Sequence, residues 1–284
     1  MDDTKTVLDW LTRRFPEAKK TTLRDMVTHK RVRINGSPVK SLKQAVAAGD
    51  AVEVADVSGP KETLGRTFRL KIVYQDSDII VVDKPSGLLT STHPDEPRET
   101  AIELLNQYAL KHNYRAQVLL IHRIDRDASG LLVFARNDEA FGALKTQFET
   151  HSIIRRYVVL VHGTPRKKKD RLVHRLLETD RGLVHITTDP RKGQEAILDY
   201  EVVASNAKYS RLMCQLYTGR KHQIRVQMTA MGHAVCCDDM YGQAPEPPGR
   251  LALHATHLTL KHPSSGKVMA FDSPPPGGFL TLTQ

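Results

Sequence analysis

Residues 121–132 read Ile-His-Arg-Ile-Asp-Arg-Asp-Ala-Ser-Gly-Leu-Leu. They lie between two short aliphatic runs, 118–121 and 131–134, that read as buried strands. Between the runs stand His122, Arg123, Asp125, Arg126, Asp127 and Ser129, then Gly130, whose lack of a Cβ permits a tight turn. A carboxylate between two guanidiniums, at the rim of a sheet, is a place where chemistry is expected. The competing reading is a surface loop whose charges pair with one another.

Working outward, strands are expected at 70–73 and 79–82, the second running into Asp83-Lys84-Pro85-Ser86-Gly87-Leu88, a shaped loop. Thr100 suits the cap of a helix through Ile102, Leu105 and Tyr108, and Asn137 or Asp138 that of a helix with Phe141, Leu144 and Phe148 on one face. A strand is expected at 155–161 and a charged, mobile loop at 165–171. Strand-like pieces follow at 183–186, 196–203 and 211–217, the last leading into Thr218-Gly219-Arg220-Lys221-His222-Gln223-Ile224-Arg225. Then come Asp238-x-x-Tyr241-Gly242 and Arg250-Leu251-Ala252-Leu253-His254-Ala255, and Pro274 to Gly278 reads as a polar terminus. Many short strands with interspersed helices, and no regular βαβ alternation, predict an α+β fold with a mixed, largely antiparallel sheet.

Ahead of this lies a small basic module. Val7, Leu8, Leu11 and Phe15 fall at helical spacing, and Leu23, Met26 and Val27 share a face of a second helix. Val32 and Ile34 alternate with Arg31 and Arg33 as in a half-buried strand, and Asn35-Gly36 signals a hairpin because a type I′ turn needs positive φ at both positions. Arg24, Lys30, Arg31 and Arg33 crowd one small surface, which fits contacts to phosphates. The expected organisation is a module at 1–56, a linker at 57–67 and a larger domain at 68–284.

Composition narrows the class. Lys and Arg number 42 against 32 Asp and Glu, a net charge of +10 that suggests a polyanionic partner. No apolar stretch is long enough to span a bilayer, so no membrane association is expected. The N-terminus carries acids and no apolar core, so no secretory signal is expected and the default location is the cytoplasm. Cys214, Cys236 and Cys237 form no disulfide framework, and without a CxxC spacing a metal site at Cys236, Cys237 and His233 is disfavoured against buried thiols. Neither a GxGxxG nor a Walker loop is present, and Ser129 lacks the GxSxG frame of a hydrolase elbow.

Taken in order, His122-Arg-Ile-Asp125-Arg-Asp-Ala-Ser129-Gly130, Lys84-Pro85-x-Gly87-Leu88, Arg155-x-Tyr157, Gly219-Arg220-x-His222-Gln223-Ile-Arg225 and Leu253-His254-Ala255 with His262-Pro263 resemble the RluA-type pseudouridine synthases. Residues 5–55 resemble the S4 RNA-binding domain, through Leu8-Asp9-x-Leu11, Thr22-Leu23-Arg24, Arg31 to Gly36 and Gly49-Asp50. The resemblance implies isomerisation of uridine to pseudouridine in structured RNA without a cofactor; no metal site is expected, and the expected state is a monomer. Large-subunit ribosomal RNA is the preferred target. A tRNA target and a noncatalytic RNA-binding or ribosome-assembly protein are the alternatives. It implies Asp125 as the essential carboxylate, acting on C1′ or abstracting a sugar proton; Arg225 as its partner; and Tyr157 as the ring packed on the uracil. Arg123 and Arg126 are implied at phosphates or at the flipped base, with His122, Arg220, His222 and Gln223 also at the substrate, and Arg24, Lys30, Arg31, Arg33 and Asn35 on the RNA face of the module. Ile124, Ala128 and Gln227 stand where the family pattern usually has Leu, Thr and His.

Overall fold

The computed structural model describes residues 6–16, 18, 20–28, 30–54, 63–64, 69–91, 99–112, 118–242 and 247–284. In chain order the helices are α1 (Val7–Arg14), α2 (Lys20–Thr28), α3 (Ala101–Lys111), α4 (Asp138–Glu149), α5 (Gln223–Ala230) and α6 (Gly277–Thr281). The strands are β1 (Val32–Ile34), β2 (Ser37–Pro38), β3 (Val52–Val54), β4 (Thr63–Leu64), β5 (Leu70–Gln75), β6 (Ile79–Lys84), β7 (Leu119–Leu120) and β8 (Ser129–Ala135). They continue with β9 (Ile154–His162), β10 (Lys169–Glu178), β11 (Val184–Thr187), β12 (Gln194–Ser205), β13 (Tyr209–Leu216), β14 (Leu253–Lys261) and β15 (Val268–Asp272).

Helices α1 and α2 and the sheet β2-β1-β3 enclose their own apolar cluster, which includes Val7, Leu11, Leu23, Val27, Val32 and Val39. Thr6 and Asp9 form a reciprocal capping box at the start of α1, satisfying amide groups that the first turn leaves without partners. Asn35 and Gly36 take the predicted left-handed conformations. Asn35 is committed to the fold: its Nδ2 donates to Asp50 Oδ1 at 2.8 Å, and its Oδ1 accepts from Ala51 N at 2.9 Å.

The large sheet runs β11-β10-β12-β13-β9-β14-β8-β6-β5-β4, with β15 on β14 and β7 on β8. Among the described strands its pairings are antiparallel except that of β8 with β14. The mixed, largely antiparallel sheet is thus two antiparallel halves joined at one parallel seam. Every residue of β8 is buried, because both faces of the sheet are covered. Leu132 and Phe134 join Leu104, Leu105 and Tyr108 of α3 in one core, while Leu131, Val133 and Ala135 meet Ala140 and Leu144 of α4 in another. Thr100 and Asn137 cap α3 and α4 as predicted, interactions whose removal costs about 1 kcal/mol each.

Several expectations are corrected. Most of the linker at 57–67 lies outside the described residues, but Thr63–Leu64 is an edge strand paired with β5. Lys169, Asp170 and Arg171 belong to β10, which shortens the charged loop. The C-terminal stretch, expected as a polar terminus, includes a short helix whose Phe279 is fully buried. Helix α5 has no signal in the sequence: six of its eight residues are buried, polar ones included, so no solvent stripe reveals a helical period. Gly130 makes no turn. At φ +109° it lies in β8, where a Cβ would collide with the Ala255 backbone of β14.

Candidate active site

The 121–132 loop emerges where the two sheet halves meet, and lysine chemistry shapes it. Lys84 ends β6 fully buried, and its Nζ lies 2.9, 2.6, 2.9 and 2.8 Å from the carbonyl oxygens of Pro85, Leu88, Arg126 and Ala128. Burial pushes this amine down to about 7, with the charges of Asp127 and Asp125 opposing; the surrounding carbonyls can only accept, and they favour the ammonium. Ser86 Oγ donates to Asp127 O, Gly87 N to Arg126 O and Thr90 Oγ1 to Ile124 O. The carbonyls at 124, 126, 127 and 128 are therefore all held from the β6 side. Ala128 is packed in the core, so the loop is braced without the hydroxyl usual at that position.

From the other half of the sheet, α5 delivers Arg225. Its Nε and Nη2 donate to Asp238 at 2.8 and 2.7 Å, and its Nη1 reaches Asp125 Oδ2 at 3.4 Å. Asp238 is fully buried and also accepts from the amides of Met240 and Tyr241. Burial acts against Arg225's charge and against Asp238's, but their hydrogen bonds and mutual attraction prevail, raising one and lowering the other. The Arg225 guanidinium also sits over the Tyr241 ring, 5.1 Å from its centre.

These groups open onto a cavity of about 490 Å³, within the range of small-ligand sites. Asp125, Tyr157, Arg225, Arg123, Arg126, Arg220, His222 and Gln223 line it, with Arg155, Lys221, Leu89, Ile224, Met240 and Leu253. A larger hollow of about 580 Å³ on β10, β12 and β13 offers no comparable set, since its Arg171 and Lys169 are paired with Asp199 and Glu201. Tyr157 is buried in β9; burial pushes its phenol up, Arg155 opposing and Asp125 adding, so the hydroxyl stays protonated at neutral pH.

The remaining predicted residues divide. Arg123 is exposed at the rim, whereas Arg126 is drawn into a two-pronged pair with Asp127. Gln223 is structural: its Oε1 accepts from Thr218 Oγ1 and Arg220 N, and its Nε2 donates to Ile197 O, fixing the turn before α5. Within that turn a Cβ on Gly219 would fall 2.8 Å from Arg155 Nη1. His222 starts α5 in a left-handed conformation and its Nδ1 meets Tyr241 OH at 2.9 Å. His122 does not line the cavity. Its Nε2 accepts from Val133 N, its ring packs on Phe148, and burial pushes its pKa down to about 3, so it is a neutral brace. Gln227 is buried beside β10 and donates toward His174 Nδ1 at 3.0 Å. Cys214 and Cys236 are buried and Cys237 half-buried; among the described residues no group with metal-ligand spacing includes them.

Lys84 and Asp238 are site residues that sequence reasoning misses. Asp238 carries only the weak signal of an Asp-x-x-Tyr pattern thirteen residues beyond Arg225, and Lys84 that of a Lys-Pro pair at a strand end.

A sequence profile described as RNA pseudouridylate synthase matches residues 78–230, a span holding Asp125, Tyr157 and Arg225. The chain belongs to that family. The ribosomal large subunit pseudouridine synthase D of Haemophilus ducreyi is 30% identical to this synthase over 287 residues, covering 95% of this chain and 87% of that protein. An RNA pseudouridine synthase of Bacillus subtilis is 30% identical over 272 residues, covering 94% and 88%. In structure the chain is similar to human RNA pseudouridylate synthase domain containing 4, with a TM-score of 0.62 and 21% identity over 74% of this chain and 90% of that one, a likeness of fold. Among the described residues no helix is long and apolar enough to cross a membrane.

Proposed function

We propose that this synthase isomerises uridine in large-subunit ribosomal RNA, the substrate named for its Haemophilus relative. Asp125 is the reacting carboxylate, Arg225 its holder and Tyr157 the platform for the base. The observation that carries this reading is the single cavity onto which all three open, with an acid, a cation and an aromatic ring drawn from three distant parts of the chain.

The chemistry balances without an added reactant. The N1–C1′ bond breaks, the uracil turns, a C5–C1′ bond forms, the C5 proton leaves and N1 gains one. Charge develops on the sugar as the glycosidic bond weakens, and an adjacent carboxylate stabilises or traps it. Arg225 cannot lose its proton at neutral pH and, pinned by Asp238, holds Asp125 from one side. Stacking on Tyr157 retains the base while it is detached. The raised phenol pKa counts against a Tyr157 phenolate as the C5 base.

The uridine must leave its stack to reach the cavity, and Arg123, exposed at the rim, is placed to fill the gap or meet phosphate. The N-terminal unit is an S4-like RNA-binding module occupying 1–56, whose exposed Arg24, Lys30 and Arg33 contact the RNA backbone. The protein acts as a monomer in the cytoplasm.

The test is pseudouridine mapping in RNA from cells with and without this chain, complemented by the wild type or by Asp125→Asn. The expected result is loss of a large-subunit site, restored only by the wild type. Restoration by Asp125→Asn sinks the mechanism, a lost site in tRNA alone sinks the target, and an unchanged map sinks the enzyme.

A further inference from the structure

Ser129 and His254 face each other directly across the parallel β8–β14 seam, both buried, and neither touches the cavity. Their hydrogen bonds have a direction that chemistry dictates. Arg250 Nη2 lies 2.7 Å from Ser129 Oγ, and a guanidinium can only donate, so the serine oxygen accepts. On the far side of the ring, His254 Nε2 lies 3.2 Å from Ser273 O, a carbonyl that can only accept, so Nε2 carries the imidazole proton. Burial keeps the ring neutral, which leaves Nδ1 bare to accept the hydrogen of Ser129 Oγ at 2.7 Å. Ser273 Oγ in turn donates to Asp83, the neighbour of Lys84.

Arg250 is itself held by the C-terminus. Its guanidinium lies over the ring of Phe279, 5.3 Å from the centre, and Phe279 is fully buried on α6. Helix α6 is docked closely there: a Cβ on Gly278 would fall 3.2 Å from Pro248 Cβ, and Asn206 Nδ2 donates to Leu282 O at 2.9 Å. Lys84 grips the loop's carbonyls from the β6 side, and Arg250 with His254 grips Ser129 from the β14 side, four residues from Asp125.

We propose that Arg250 is a positioning residue for Asp125: the C-terminal helix seats it on Ser129, and the ordered chain Arg250, Ser129, His254, Ser273 sets the angle at which the reactive loop leaves the seam. The proposal rests on the assignment of Asp125 as the reacting carboxylate. A displacement of the order of 1 Å at the reacting group costs about 100-fold in rate, so a brace of this kind acts on turnover and not on RNA affinity.

The test compares full-length variants for single-turnover pseudouridine formation on transcribed large-subunit RNA, for RNA affinity by filter binding, and for melting temperature. Arg250→Met and Ser129→Ala are expected to slow turnover by about 30- to 100-fold with affinity changed less than about twofold. Phe279→Leu, which keeps an apolar side chain but removes the ring face, is expected to slow it about fivefold. His254→Asn, whose Oδ1 can accept from Ser129 where Nδ1 does, should stay within about threefold of wild type, while His254→Leu should fall with Ser129→Ala. A purely structural role would make both His254 variants track melting temperature, and that pattern overturns the proposal. Should Arg250→Met fail to fold, Ser129→Ala removes a single hydroxyl and decides the matter; wild-type turnover in it refutes the brace. Nitrogen chemical shifts of His254 give an independent check, the Nδ1-protonated form contradicting the direction of the chain. Turnover by wild type, none by Asp125→Asn and unchanged rates in the Arg250 and Ser129 variants would defeat this inference alone. An inactive wild type on every RNA offered, or full turnover by Asp125→Asn, would defeat the functional assignment and this inference with it.

Discussion

Arg225 and Asp238 form a buried two-pronged pair, at 2.7 and 2.8 Å, that leaves the arginine's third nitrogen 3.4 Å from Asp125. One guanidinium is shared unequally between Asp238 and Asp125, with the exposed Asp239 carboxylate farther off at 3.8 Å. The tight share goes to the fully buried partner and the loose share to the one facing the cavity. A carboxylate locked into a short two-pronged pair has its lone pairs occupied. The 3.4 Å approach orients Asp125 and leaves its oxygens available.

The first prediction concerns that division. Asp238→Asn removes the tight share and leaves Arg225 to turn toward Asp125. Turnover should fall about 10- to 100-fold while RNA affinity holds, and stability should fall by about 3 kcal/mol, the typical cost of breaking a buried pair. Denaturant unfolding and single-turnover kinetics check the two parts.

Lys84 carries the second. Lys84→Met keeps the volume of the stem but leaves the carbonyls of Leu88, Arg126 and Ala128 without their buried donor. A stability loss of about 3 kcal/mol is expected, with turnover reduced at least as far as in Asp238→Asn. Amide exchange in 123–128 should quicken before exchange elsewhere in β8. Unaltered exchange there would show that the loop does not depend on the lysine.

A third prediction lies far from the cavity, at His262 and Asp76, whose Nε2 and Oδ2 are 2.7 Å apart. Burial acts against charge on each, yet their hydrogen bond and attraction raise His262 above 6.5 and lower Asp76 below 3.8. The histidine's stabilising share is complete below 6.5 and is lost as pH rises through its raised value. The aspartate's share is complete above 3.8 and is lost as pH falls through its lowered value. Their joint contribution is thus greatest between 3.8 and 6.5. The melting-temperature gap between wild type and His262→Gln should be widest in that window and narrow above it. A gap that does not vary with pH would rule out the charged pair.

The fourth concerns the basic module. Arg24, Lys30 and Arg33 are exposed, while Asn35 is consumed by its turn. Reversing the three cations to Glu should weaken RNA binding and flatten its logarithmic salt dependence by about one for each phosphate no longer neutralised. Turnover of RNA already bound should be unchanged. Asn35→Ala should lower melting temperature and leave the salt slope as it was.

Much of this is legible in the chain. Strand runs such as Leu131 to Phe134 and caps such as Thr100 and Asn137 are local signals, set by side-chain alternation and by the hydrogen bonds a helix start lacks. The Asn35-Gly36 hairpin is local in the same sense. The five motif fragments identify the Asp125 loop, Tyr157 and Arg225 as parts of one family pattern.

The tertiary structure decided the partnerships. Asp125 is flanked by Arg123 and Arg126, and only the family resemblance points past them to Arg225, one hundred residues away; that Arg225 is itself pinned by Asp238 comes from the folded chain. Gly130 reads as a turn glycine and is instead the point where β14 comes too close for a side chain. His122 reads as a substrate residue and is instead turned from the cavity to accept from Val133 N, and α5, buried nearly all round, offers no period to find. Periodicity and capping depend on residues within a few positions of each other, so sequence determines them. Charge pairing, close backbone approach and the direction of a buried hydrogen-bond chain depend on which distant segments the sheet brings side by side, and only the folded chain sets that.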